Sequence, residues 1–119
     1  MKKFLIVLII IILLCGCSKE EEGTITKVTC DEMKDLLKEG AILIDVRSEN
    51  EYNIHHIDDA ENIAYDVIDK NIEELVEDKK SKIIVYCQSG KRSGIAAETL
   101  VEMGYKNIYN LGSINNCES

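Results

Sequence analysis

The apolar residues of this chain come first as one block and then as short runs spread evenly to its end. The block, Phe4 to Leu14, stands behind Lys2 and Lys3. Beyond it, continuous apolar runs in "AILIDV" (residues 41–46) and "KIIVYC" (82–87) predict buried strands, because a strand covered on both faces has no use for polar alternation. "TITKV" (24–28), "ENIAY" (61–65) and "KNIYNL" (106–111) predict shorter ones. Between them the spacing of apolar positions turns helical. "TCDEMKDLLKEG" (29–40) has Thr29 at an N-cap, Glu32 three residues on, Met33, Leu36 and Leu37 on one face, and Gly40 past the end. "DKNIEELVED" (69–78) gathers Ile72, Leu75 and Val76, and "SGIAAETLVEMG" (93–104) stops at Gly104. Non-alternating strands separated by helices predict an α/β fold: a mostly parallel central sheet of about five strands with helices on both faces.

The leading block changes the address of the protein. Its 11 apolar residues fall short of the roughly 20 that a spanning helix needs, so residues 1–16 are read as a secretion signal. Leu14-Cys15-Gly16-Cys17 resembles the lipobox of bacterial lipoproteins, in which a small residue precedes the cysteine that is lipidated. The resemblance implies acylation of Cys17, by palmitate or a similar chain, and a domain lipid-anchored to the bacterial cell membrane outside the cytoplasm. Each buried CH₂ of such chains contributes about 0.8 kcal/mol. The competing expectation is an ordinary cleaved signal peptide and a soluble product. Residues 17–23 then form the lipidated N-terminus and a polar tether, and residues 24–119 the domain.

Charge narrows the partners. The 119-residue chain, long enough for one core plus a targeting segment, carries a formal net charge of −8. No basic cluster stands outside residues 1–3, which excludes a nucleic-acid binder, since neutralising phosphates takes a basic face. Loss of residues 1–16 leaves 12 basic residues against 22 acidic ones. No metal or cofactor is expected: His55 and His56 are adjacent rather than spaced along a helix face, and phosphate-binding and dinucleotide fingerprints are missing.

Chemistry enters at "YCQSGKRS". Cys87 ends an apolar strand, and in open parallel sheets ligands bind beyond the carboxyl ends of the strands. The loop Gln88, Ser89, Gly90, Lys91 and Arg92 offers consecutive backbone amides, Gly90 can adopt positive φ, and a helix starting near Ser93 or Gly94 aims its positive end at the sulfur. A thiol so placed is expected to have a lowered pKa and to act as a nucleophile, with Lys91 and Arg92 adding positive charge.

These segments together resemble the rhodanese family of sulfurtransferases. "LIDVRSENEY" is similar to the family's Asp-x-Arg strand end and following Glu, here Asp45, Arg47 and Glu51. "HHIDDAENI" stands where the family has Gly-His-Ile-Pro-Gly-Ala-x-x-Ile, with His56 and Ala60 matched and His55, Asp58 and Asp59 departing. "YCQSGKRS" is similar to the loop Cys-x-x-Gly-x-Arg-Ser, and "MGYKNIYNLGS" to the closing motif. The resemblance implies a Cys87 persulfide, loaded from a small anionic donor such as thiosulfate and discharged to cyanide or a thiol. The amides of Gln88 to Arg92 would hold it, Lys91 and Arg92 would attract the donor, and Asp45, Arg47 and His56 would support the loop. Phosphatases and arsenate reductases of the same fold are the alternative enzymes, but their loops place five residues between Cys and Arg where this chain has four. A non-enzymatic binding, sensing or redox module is the alternative of another class.

Three cysteines remain in the domain: Cys30, Cys87 and Cys117. Outside the cytoplasm such thiols tend to oxidise. Cys30 is expected to pack at the start of the first helix. Cys117, on the tail, is the expected partner if Cys87 is gated by a disulfide.

Overall fold

The structure is a computed structural model and describes residues 21–118. Residues 1–16, expected from the sequence to be a signal, and Cys17 lie outside them. No helix among the described residues is long and apolar enough to cross a membrane.

Five strands form one sheet, β1 (Thr24–Lys27), β2 (Ile42–Asp45), β3 (Glu61–Asn62), β4 (Lys82–Cys87) and β5 (Asn107–Ser113), in the order β1-β5-β4-β2-β3. All four pairings are parallel. Helices α1 (Cys30–Lys38), α2 (Glu49–Ile54), α3 (Ile68–Leu75) and α4 (Lys91–Glu102) make the connections, with 3₁₀ turns at Tyr65–Val67 and Ile114–Cys117. The pleat of central β4 divides the core. Ile83, Val85 and Cys87 join Ile68, Ile72, Ala96 and Leu100 beneath α3 and α4. Ile84 and Tyr86 join Met33, Leu43 and Leu111 beneath α1. The α/β fold with a parallel five-stranded sheet covered on both faces is as the pattern predicts.

Several elements differ in detail. Helix α2 escapes the hydrophobic pattern because it buries no residue. It is instead made by a capping box, Ser48 Oγ accepting from the Glu51 amide while Glu51 reaches back to the Ser48 amide. Strand β3 pairs over two residues only, after which the chain turns into a 3₁₀ helix. Helix α4 begins at Lys91 rather than at Ser93, because Gly90 at φ 99° turns the chain into it at once.

Two irregularities shape the end of the sheet where Cys87 sits. The β4–β5 ladder slips between Val85 and Tyr86: Val85 faces Asn110 but Tyr86 faces Gly112, leaving Leu111 as the extra residue of a bulge. Gly112 accommodates this at φ 82°, and Ser113 arrives opposite Cys87. Second, Cys30 and Cys117 form a disulfide across 87 positions of sequence, with Cα atoms 5.1 Å apart. This corrects both cysteine expectations, since Cys30 is not a packed free thiol and Cys117 does not pair with Cys87. The pleat is the reason: Cys87 points beneath α3 and α4, whereas Cys30 and Cys117 pack against the cluster on the opposite face of the sheet. Cys87 is the free cysteine among the described residues.

Candidate active site

Cys87 ends the central strand, and the next three residues curl over its sulfur. The amides of Gly90 and Ser93 donate to Sγ from 2.9 and 3.3 Å, and the Ser93 hydroxyl lies 3.6 Å from it. Ser93 Oγ also donates to the Gly90 carbonyl at 3.0 Å, which closes the turn. The thiol is fully covered, at 0% exposure. Burial pushes the Cys87 thiol up, but the hydrogen bonds from Ser93, Gly90 and Ser89 outweigh it and leave the pKa below that of an ordinary thiol. The N-terminus of α4 adds a favourable dipole for an anion.

The loop is held from two sides. On one, Ser113 Oγ donates to the Gln88 carbonyl at 2.7 Å, a contact that the β5 bulge makes possible. On the other, Arg47 Nη1 donates to Gln88 Oε1 at 3.3 Å. Arg47 is itself fixed: Nε and Nη2 donate to the Asp45 carboxylate at 2.8–3.1 Å, and Nη2 also donates to the His55 carbonyl at 2.6 Å. The Tyr86 hydroxyl donates to Asp45 at 2.8 Å and Asn62 Nδ2 donates to the Asp45 and Arg47 carbonyls, so this buried ion pair has its polar atoms satisfied. The hydrogen bond with Asp45 raises the Arg47 pKa.

Arg92 does not face an open loop. Its Nη1 and Nη2 grip the two oxygens of Glu51 at 2.7 and 3.0 Å, and this hydrogen bonding holds the Glu51 carboxyl down to about 2. Lys91 is exposed and makes no ion pair among the described residues. His56 sits apart from the loop, its ring stacked on Tyr52 at 3.7 Å and its Nδ1 2.8 Å from the Tyr52 carbonyl. It therefore braces α2 and residues 55–60 rather than the sulfur.

A family model described as the rhodanese-like domain matches residues 29–118. The chain belongs to the rhodanese-like family. It is 39% identical over 71 residues to the thiosulfate sulfurtransferase PspE of Escherichia coli, spanning 60% of this chain and 68% of that one. It is 29% identical over 85 residues to a tRNA uridine(34) hydroxylase of Hamiltonella defensa, covering 67% of this chain but only 24% of that protein. Among solved structures, a rhodanese with anions from E. coli superposes with a TM-score of 0.63 at 36% identity, covering 66% of this chain and 92% of that one. Sulfurtransferases are thus among its relatives, and sulfur transfer is the general activity that this kinship supports.

Within the rhodanese-like domain, four contributors to the site stood inside the quoted motifs with no role assigned to them: Ser93, Ser113, Tyr86 and Glu51. For Glu51 a signal existed in Ser48-x-x-Glu51, which announces a helix start and so fixes where the carboxylate points. The contacts of Ser93 and Ser113 carry no local signal, since their partners are set by the turn at Gly90 and the slip in the β5 ladder.

Proposed function

We propose that this rhodanese-like domain carries sulfane sulfur on Cys87, as a thiosulfate sulfurtransferase does. The observation that carries the reading is the pair of backbone amides, Gly90 and Ser93, directed at a single sulfur at the carboxyl end of β4. Such donors stabilise a thiolate and then the anionic persulfide without reorganising. Cys87 thiolate attacks the outer sulfur of thiosulfate; a new S–S bond forms, the old one breaks, and sulfite leaves with its electron pair. Because the thiol is covered, residues 88–90 part to admit the donor. Lys91, beside the loop and without an ion pair among the described residues, attracts it. The four residues between Cys87 and Arg92 make a turn that encloses one sulfur atom rather than a tetrahedral oxyanion. The test is mass spectrometry of the purified protein after incubation with thiosulfate. A gain of one sulfur on the Cys87 peptide, lost in Cys87→Ser, is expected; wild-type protein that gains none overturns the reading.

The anchor is part of the same proposal. Acylation at Cys17 would place this chemistry on the outer face of the cell membrane, and incorporation of labelled palmitate that survives Cys17→Ala would overturn it.

A further inference from the structure

Two clefts reach the turn that covers the sulfur, one at Gln88 and one at Ser89 and Gly90, and they differ in charge. One, of about 290 Å³, is lined by Arg47, Glu51, His55, Gln88 and Glu118, whose charged groups already have partners: Arg47 is paired with Asp45, Glu51 with Arg92 and Glu118 with His55. The other, of about 460 Å³, opens on the β1–β5 side and is walled by Ser89 and Gly90, with Lys27, Asn110, Ser113 and Asn116 around it. No carboxylate lines this second cleft, although acidic residues outnumber basic ones 22 to 14 in the chain. Its volume is that of a small-molecule site.

Its polar groups are only partly used. Asn110 Oδ1 accepts from the Gly112 amide at 2.9 Å, which leaves its NH₂ group without a partner among the described residues. Asn116 Nδ2 donates to the Leu111 carbonyl at 2.8 Å, which leaves its Oδ1 without a donor among the described residues. Lys27, at the end of β1 and directly opposite Asn110 in the ladder, is exposed and forms no ion pair among the described residues. An ammonium and an amide N–H side by side suit one carboxylate, and the acceptor beside them suits an N–H.

We infer that this cleft is the acceptor subsite and that it takes a small thiol bearing a carboxylate, of the cysteine or cysteinyl-peptide class. The inference rests on the sulfur-transfer reading and extends it. Lys27 stands two strand spacings from β4, about 10 Å, a gap spanned by its own side chain together with a cysteine-sized molecule. Gly90 both lines the cleft and donates its amide to the sulfur, and a persulfide extends Cys87 by one S–S bond, about 2 Å. With its carboxylate on Lys27, the acceptor thiolate attacks the outer sulfur. A new S–S bond forms as the bond to Cys87 Sγ breaks. The electron pair returns to Sγ, where the Gly90 and Ser93 amides receive it, and the acceptor leaves as a persulfide carrying the proton.

The experiment loads purified full-length protein with sulfur from thiosulfate, then measures KM for discharge to 3-mercaptopropionate and to uncharged 2-mercaptoethanol. Lys27→Ala is expected to raise the ratio of the first KM to the second roughly threefold to fivefold, the range of one partly exposed ion pair. Lys27→Glu should raise it further and Lys27→Arg restore it, while Lys34→Ala, a charge change on α1 outside the cleft, should leave the ratio alone. A loaded protein whose ratio does not respond to Lys27, or responds equally to Lys34→Ala, overturns the subsite and leaves the sulfur-transfer reading standing. Wild-type protein that cannot be loaded overturns both.

Discussion

Arg92 and Glu51 meet in a two-point ion pair, Nη1 to Oε1 at 2.7 Å and Nη2 to Oε2 at 3.0 Å, linking the first turn of α4 to α2 across 41 positions of sequence. One of the two cations that follow the nucleophile's turn is thereby neutralised, and electrostatic attraction of a dianionic donor falls to the other, Lys91.

Glu51→Gln keeps the helix cap but removes that counter-charge. Release of sulfite from thiosulfate should then become faster at low ionic strength, about twofold to fivefold in second-order rate, and the gain should fade as salt screens the freed guanidinium. A slower reaction at every salt concentration would mean that Glu51 serves by positioning Arg92.

The same carboxyl sets an acid dependence. Arg92 holds it down to about 2 in the folded protein, against 4.5 unperturbed. The unfolded chain therefore takes up this proton first as the solution is acidified. Glu51 contributes stability above about pH 4.5 and loses it progressively toward pH 2. Because both side chains are about a third exposed, at 30% and 35%, the contribution is modest, no more than about 1 kcal/mol. Urea midpoints of Glu51→Gln should lie below wild type at pH 7 and converge with it through this window; parallel curves would contradict the assignment.

Ser93→Ala removes the hydroxyl from the sulfur while keeping the backbone amide. The Cys87 pKa should rise, visible as a displaced ultraviolet thiolate titration, and sulfur loading at neutral pH should slow roughly threefold to tenfold, the net worth of one ordinary hydrogen bond. Raising the pH should recover the rate, an outcome that simple loss of packing would not produce.

Much of this was open to reading from the chain because it is locally encoded. The run Lys82–Cys87 is strand β4 residue for residue, and Thr29 with Glu32 caps α1 as their spacing predicts. What escaped depends on contacts between distant segments. Helix α2 buries no residue, so hydrophobic spacing is blind to it. The bulge at Leu111 exists only as a mismatch between two strands, and the partner of Cys30 lies 87 positions away. The face on which Cys87 lies followed from the pleat of β4 once its neighbours were placed, and that placement separated it from Cys117.

Cys30→Ser should lower the unfolding free energy by about 2–4 kcal/mol, since the native crosslink removes most freedom from the unfolded chain when it closes a long loop. The wild-type domain should show one titratable thiol when denatured without reductant, assigned to Cys87. A second thiol, mapped to Cys30 or Cys117, would contradict the pairing.

Because Cys30 and Cys117 are joined, nearly all of the described chain is a closed circle of covalent bonds. A protease that finds the exposed stretch between α2 and β3, or the turn before β4, opens the circle without releasing a fragment. The first cut is then a scar rather than a loss: the strands stay tethered to one another, and the turn that covers Cys87 keeps both of its braces within reach.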